Sequence, residues 1–312
     1  MEKSFCNPSA SSEYALQVEG LSKSFGQIQA LDHVSFDVRK GELFGLIGPD
    51  GAGKTTLFRL LTTLLLPDAG TATINGYDIN EHVSEIRSSV GYMPGRFSLY
   101  PDLTVEENLR FFAAAFGVTV EENYHLIAPV FRKLEPFRTR RAGKLSGGMK
   151  QKLALSCALI HKPDVLLLDE PTTGVDAVSR TEFWNMLLSI KAMGISLLVS
   201  TPYMDEASLC DRVALLNKGK VLSMDTPRGI VAKEKMVLYA VSADEMFRLL
   251  GSVRKEKGVE MCYPFGSVHH LVVNDSFNPG HLQHRLTEEQ FRDIRLEETP
   301  ATIEDVFIKL MQ

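Results

Sequence analysis

No apolar run in this 312-residue sequence approaches the ~20 residues a helix needs to cross a bilayer, and the opening MEKSFCNPSASSEY lacks the apolar middle of a secretory signal. The chain is expected to stay in the cytoplasm, peripheral to a membrane only if another protein holds it there. Cysteine is scarce: Cys6, Cys157, Cys210 and Cys262 lie far apart with no CxxC pair, which argues against a disulfide scaffold or a thiolate metal site. An excess of basic charge is missing too. With 34 Lys+Arg against 39 Asp+Glu the formal charge is −5, so the global footprint of a dedicated nucleic-acid binder is absent. What is present is ordinary for a folded chain, 44% hydrophobic and 23% charged, and the length allows about two domains at ~150 residues each.

Residues 1–13, polar and Ser-rich, are expected to be disordered. Residues 16–38 alternate like strands around a turn at Gly26, and the apolar run 43–47 enters a glycine-rich loop and a helix beginning near Lys54. Residues 71–74 and 77–79 flank Asn75-Gly76, a type I′ hairpin signal. The stretch 81–141 reads as mainly helical. The runs 165–168 and 195–200 are almost wholly apolar, as parallel strands covered on both faces are. A hairpin of 213–216 with 221–222 turns at Lys218-Gly219, and a boundary is expected near Arg228. Beyond it, strand-like 237–241, 268–273 and 294–296 with helices from Asp244 and near Leu286 predict a small α+β unit. Thr302 and Asp305 predict a capping box on a last helix through Met311.

Three motifs carry chemistry. Residues 48–56, GPDGAGKTT, place Gly48, Pro49, Asp50, Gly51, Ala52, Gly53, Lys54, Thr55 and Thr56 between a strand and a helix. Glycines let backbone N–H groups wrap phosphate oxygens, Lys54 can neutralise β and γ phosphates, and Thr55 can offer its hydroxyl to Mg²⁺. An accidental Gly-rich turn does not explain the flanking strand and helix. VLLLDEP, 165–171, ends a buried strand in two carboxylates: Asp169 would hold Mg²⁺ through water, and Glu170 would be the general base for the water attacking the γ phosphate. Helix capping is the plainer reading, but it leaves the pairing with a phosphate loop unexplained. LSGGMKQKL, 145–153, sets Ser146, Gly147 and Gly148 at the start of a helix, a second anion-binding terminus that suggests a site completed across a dimer.

These motifs, in this order, resemble the nucleotide-binding subunit of an ABC transporter: GPDGAGKTT its Walker A loop, LSGGMKQ its signature, VLLLDEP its Walker B strand, and GVD, ending in Asp176, its D-loop. The resemblance covers residues 14–228 and implies an α/β P-loop cassette. That fold has a RecA-like parallel sheet core, an antiparallel β subdomain and a helical signature subdomain over about 92–160, followed here by a C-terminal α+β extension over 229–312. It implies ATP and Mg²⁺ as ligands, with Lys54, Asp169 and Glu170 as catalytic residues and Thr55 and Asp169 on the metal. Ser146, Gly147 and Gly148 would act in trans on a second cassette, and integral-membrane permease subunits would be the other partners, with no nucleic acid. Phe25 stands where the family has an aromatic that stacks on adenine; a place in the strand core is its other reading. The tail, ETPATIEDVFIKLM, resembles the C-terminal extension of drug-exporter ATPases, whose permeases are of the ABC-2 type.

Two residues depart from the family pattern. In GYMPGRFSLYPDLTVEENL, Gly95 stands where the family has a glutamine, and no glutamine occurs between Gln29 and Gln151. In STPYMDEA, Pro202 stands where the family has a histidine, and no histidine occurs between His161 and His269. The expectation is a degenerate cassette that binds MgATP and hydrolyses it slowly, similar to the first cassette of tandem two-cassette multidrug exporters and paired with a different, competent one. A non-hydrolytic regulatory cassette and a soluble non-transport ABC ATPase are the alternatives, the second disfavoured because the interval 56–145 has no room for a long coiled coil. Phe97, Leu99 and Tyr100 are candidates for the permease interface, with Phe111, Phe112 and Phe116 expected mostly in the helical subdomain's own core.

Overall fold

The computed structural model describes residues 13–96 and 98–311. The expectations for residues 1–12, Cys6 and Phe97 lie outside the described residues. Two compact units separate between Pro227 and Arg228.

In the first unit the first described elements are two long antiparallel strands, β1 (Tyr14–Phe25) and β2 (Ile28–Arg39); β2 buries Val34, Phe36 and Val38 in alternation, whereas register shifts in the pair leave β1 without a strict alternation. Strand β3 (Leu43–Ile47) is buried at every position and feeds the 48–53 loop and helix α1 (Lys54–Leu61). Strands β4 (Ala69–Ile74) and β5 (Tyr77–Asp78) form the expected hairpin. Asn75 at φ 51° and Gly76 at φ 82° supply the two positive angles of a type I′ turn. The first sheet has the order β2-β1-β4-β5 and packs on the core through Phe36, stacked on Phe44 at 5.4 Å. Each fully buried side chain of this size contributes roughly 1.5–3 kcal/mol relative to exposure.

Helix α2 (Val83–Ser89) runs directly into strand β6 (Val90–Met93), so the stretch 81–141 is not uniformly helical and the 92–160 span begins inside a core strand. Four residues are too few to show a period, and this strand exists through its pairing with a later one. A Cβ on Gly91 would lie 2.3 Å from the Ala158 carbonyl oxygen, which shows how closely the signature helix packs there. Helices α3 (Val105–Ala115) and α4 (Val120–Phe131) each begin with a capping box, Thr104 with Glu107 and Thr119 with Glu122. Ser146 caps helix α5 (Gly147–Leu159).

Strand β7 (Val165–Asp169), helix α6 (Ala177–Ala192), strand β8 (Ser196–Thr201) and the hairpin β9 (Arg212–Asn217) and β10 (Lys220–Asp225) complete the unit. The central sheet has the order β10-β9-β3-β8-β7-β6, parallel except for β10. Strands β3, β8, β7 and β6 therefore deliver residues 48, 202, 170 and 94 to the same carboxyl edge, where parallel sheets bind ligands.

The second unit follows the start of helix α7 (Pro227–Lys233). It runs β11 (Val237–Ser242), α8 (Met246–Val253), β12 (Val259–Phe265), β13 (Val268–Val273), α9 (Pro279–Glu288) and β14 (Arg295–Glu298), then α10 (Ile303–Leu310). Its sheet order β12-β13-β11-β14, antiparallel throughout, is the βαββαβ ferredoxin-like arrangement. Strand β12, interrupted in pattern by Pro264, is the element not expected from the sequence. The predicted Thr302–Asp305 capping box is present, and buried Asp305 also accepts from Tyr263 and contacts His270, fastening α10 to its own sheet.

Candidate nucleotide site

The 48–53 loop can be built only from glycine at two of its positions. A Cβ on Gly48 would lie 2.2 Å from the Leu216 carbonyl oxygen, and one on Gly53, at φ 107°, would lie 2.4 Å from that of Ala30. Pro49, Asp50 and Gly51 form the outer rim and Ala52 is buried beneath it. Helix α1, with Gly53 as its N-cap residue, has no side-chain cap and no acidic residue in its first turn, unlike α3, α4 and α10. Its positive end is thus left to an anion from outside. Lys54 is 3% exposed, its Nζ donating to the carbonyls of Gly48 (2.7 Å) and Pro49 (2.9 Å) and facing Glu170 Oε1 at 3.1 Å.

Strand β7 brings the acidic pair to the same place. Asp169, 2% exposed, accepts the Ser200 hydroxyl at 2.7 Å and has the Thr55 hydroxyl beside it, with Thr56 half-buried one residue on. Burial raises its pKa above the ordinary carboxylate value, opposed by those two hydroxyls, while the charge of Glu170 adds to the rise and that of Lys54 subtracts from it. Glu170 sits in the left-handed region at φ 49°, held by N–H bonds to the hydroxyl (2.9 Å) and carbonyl (3.1 Å) of Ser200. Its second carboxylate oxygen accepts from Thr173 at 3.3 Å.

This cluster fits a triphosphate and a hard cation. Hydroxyl and carboxylate oxygens from Thr55 and Asp169 are the donor set Mg²⁺ prefers. Among the described residues no group of three or more His, Cys, Asp or Glu could hold a metal alone. A raised pKa on Asp169 means that the folded chain holds a proton the unfolded chain has released, so this stability term is full below the unfolded value of 3.8 and is lost as pH rises through the folded one. Thermal melts from about pH 4 to about pH 7 should therefore show the wild type losing ground to Asp169→Asn as pH rises. The stabilisation given by MgATP should grow across the same interval, because the cation needs the ionised carboxylate.

The two departures from the family pattern lie at this edge. Gly95 follows β6, and a Cβ there would sit 3.0 Å from the Asp169 carbonyl oxygen and 3.7 Å from the Glu170 Cβ. Pro202 follows β8, which lies between β3 and β7. Ser146, exposed, accepts from the Met149 N–H, and the atoms nearest Gly147 and Gly148 belong to Gly174, Val175 and Ser179, not to the 48–56 loop. Asp176 caps α6 through the Ser179 N–H. Phe25 is 47% exposed at the β1–β2 turn, so it is not a strand-core residue.

Phe111 and Phe116 are exposed as well, contrary to the expected core positions. Phe116 stacks on His161 and, with Leu64, Tyr92, Leu99 and Phe112, lines an apolar cavity of about 460 Å³. Sequence reasoning missed Ser200 and Glu206. Ser200 was visible as a polar end to an apolar strand, whereas Glu206 had no local signal.

Fold and site together define a P-loop nucleotide-binding cassette. An ABC transporter family profile matches residues 31–173. The Nod factor export ATP-binding protein I of Paraburkholderia xenovorans (strain LB400) is 36% identical over 307 residues, 96% of this chain and 97% of that protein. The probable multidrug ABC transporter ATP-binding protein YbhF of Escherichia coli (strain K12) is 42% identical over 223 residues, 71% of this chain, and the matched part spans 39% of YbhF. Among solved structures, an ATP-binding subunit of an ABC transporter superposes with a TM-score of 0.65 at 32% identity, covering 70% of this chain and 93% of that one. A dimeric cassette in a post-hydrolysis state with ADP and Pi superposes at 0.61 and 25% identity, covering 68% and 98%. The chain belongs to the ABC transporter family as an ATP-binding subunit. No helix among the described residues is long and apolar enough to cross a membrane.

Proposed function

We propose that this chain is the MgATP-binding subunit of an exporter, coupled to separate integral-membrane permease subunits of the ABC-2 type, and that its own site turns ATP over slowly. The observation that carries the reading is the buried Lys54 ammonium, enclosed by phosphate-loop carbonyls and Glu170, with Thr55 and Asp169 beside it. Lys54 would exchange these acceptors for phosphate oxygens, and Thr55 and Asp169 would hold Mg²⁺, which would offset charge on the phosphates. Glu170 orients the attacking water and takes its proton. The exposed Phe25 ring stacks on the base. The names of the relatives, multidrug and Nod factor export, support outward transport.

Slow turnover follows from Gly95 and Pro202, neither of which has a polar side chain to place at the water or the γ phosphate. Losing one such group commonly costs ~10²-fold in rate. Ser146, Gly147 and Gly148 then serve a second, catalytically competent cassette, and the aromatic cavity with exposed Tyr100 receives the permease on the cytoplasmic face of the membrane. Steady-state ATP turnover of the purified chain alone is expected to be measurable but low. Brisk turnover, comparable with an ordinary cassette, would sink the degenerate reading. A second reading, nucleotide binding with no hydrolysis, rests on the same two residues, and turnover indistinguishable from a Glu170→Gln control would favour it.

A further inference from the structure

Glu206 is 2% exposed and lies outside the nucleotide cluster, just after β8. Its Oε2 accepts hydroxyls from Thr172, at 3.1 Å, and from Thr201. Its Oε1 is buried with no hydrogen bond; the nearest cation is Arg180, whose Nε stands 3.6 Å away. Arg180 is divided between this carboxylate and Asp205, bound at 2.7 Å, and its guanidinium lies over the Tyr203 ring at 4.6 Å.

These partners come from three segments with different duties. Thr172 lies two residues beyond Glu170, in a turn fastened by the Thr173–Glu170 bonds. Thr201 ends β8, receives the Gly48 N–H on its carbonyl and precedes Pro202. Arg180 is in the first turn of α6, next to Ser179, which is the atom group a Cβ on Gly148 would meet at 2.9 Å. A buried carboxylate facing an arginine without a direct hydrogen bond is a poor way to stabilise a fold. It suits a junction that can shift, with Arg180 moving between Asp205 and Glu206.

We infer that Glu206 is a positioning residue that, acting through Arg180, couples occupancy of this chain's nucleotide loop to the setting of its Ser146–Gly148 segment. This rests on the reading that residues 48–56 bind MgATP and that the Ser146 segment is offered to a second cassette. Coupling is read as transmission from one segment to the other.

The experiment is backbone hydrogen–deuterium exchange on the full chain at a concentration where it is monomeric, with and without MgATP, following residues 48–56 and 145–150 separately. In the wild type both segments should slow, the second by about threefold or more. Glu206→Gln, which keeps shape and volume, should retain the change at 48–56 and lose that at 145–150. Arg180→Gln, altered from the solvent side, should do the same and guards against a folding defect in the first variant. Asp205→Asn, which frees Arg180 for Glu206, should keep or enlarge the change at 145–150, an effect a merely structural role would not produce. A wild-type response confined to 48–56, or variants that transmit normally, overturns the coupling and leaves nucleotide binding standing. Failure of 48–56 itself to respond overturns both.

Discussion

Lys54→Ala is expected to weaken MgATP binding by about 10²-fold or more, since it removes charge-assisted bonds worth about 1.5–3 kcal/mol each. The ammonium is almost completely buried and already bonded to two loop carbonyls and Glu170, so it is held in place at the loop proposed to take the phosphates. Its removal also leaves Glu170 beside Asp169 with no cation between them. The Asp169 pKa, already raised by burial and by Glu170, loses the opposing influence of Lys54 and rises further. The nucleotide-free variant should therefore melt lower above neutral pH and recover as pH falls, because protonation of Asp169 removes the repulsion. Lys54→Arg should not rescue binding: a planar guanidinium does not reproduce the compact ammonium's bonds to the Gly48 and Pro49 carbonyls and Glu170 at one buried point. Titration with a fluorescent ATP analogue and melts at two pH values check this. Binding within threefold of wild type would remove residues 48–56 as the triphosphate site.

What the sequence revealed of this site is what local chemistry demands. Gly48 and Gly53 are forced by contacts of 2.2 and 2.4 Å, so their spacing before Lys54 is a backbone requirement written in residue identity. The run Val165–Asp169 is buried at every position, and an apolar strand ending in acids is legible for that reason. The turn at Asn75-Gly76 and the cap at Thr302 are local in the same sense. Strand β6 was hidden because four residues become a strand only through β7, some seventy positions away. Glu206 was hidden because its partners, at 172, 180 and 201, meet only after three segments fold together. Phe111 and Phe116 read as core by their apolar character, yet the helix leaves them on the surface.

Gly95→Gln with Pro202→His is expected to raise the turnover number by about tenfold to 10²-fold, corresponding to roughly 1.4–2.7 kcal/mol of restored transition-state stabilisation. Gly95 is exposed at the end of β6, and its φ is not among the positive angles, so a side chain is conformationally allowed there. The 3.0 Å between a Cβ at 95 and the Asp169 carbonyl oxygen asks the loop to yield by a few tenths of an ångström, which an exposed segment after a strand can do. The amide would then stand beside Asp169 and Glu170. Histidine at 202 adds a ring nitrogen and restores a backbone N–H at the end of β8. Each single variant should gain less than its share, because a water aligned from one side only is still poorly placed, and residues acting as a unit are non-additive. Two controls fix the interpretation. The MgATP affinity of the double variant should stay within about threefold of wild type, and adding Glu170→Gln to it should abolish the gain. A double variant that folds, binds MgATP and turns over no faster would show that Gly95 and Pro202 are not what limits this site, and the search would move to the left-handed Glu170 and its bond to Lys54.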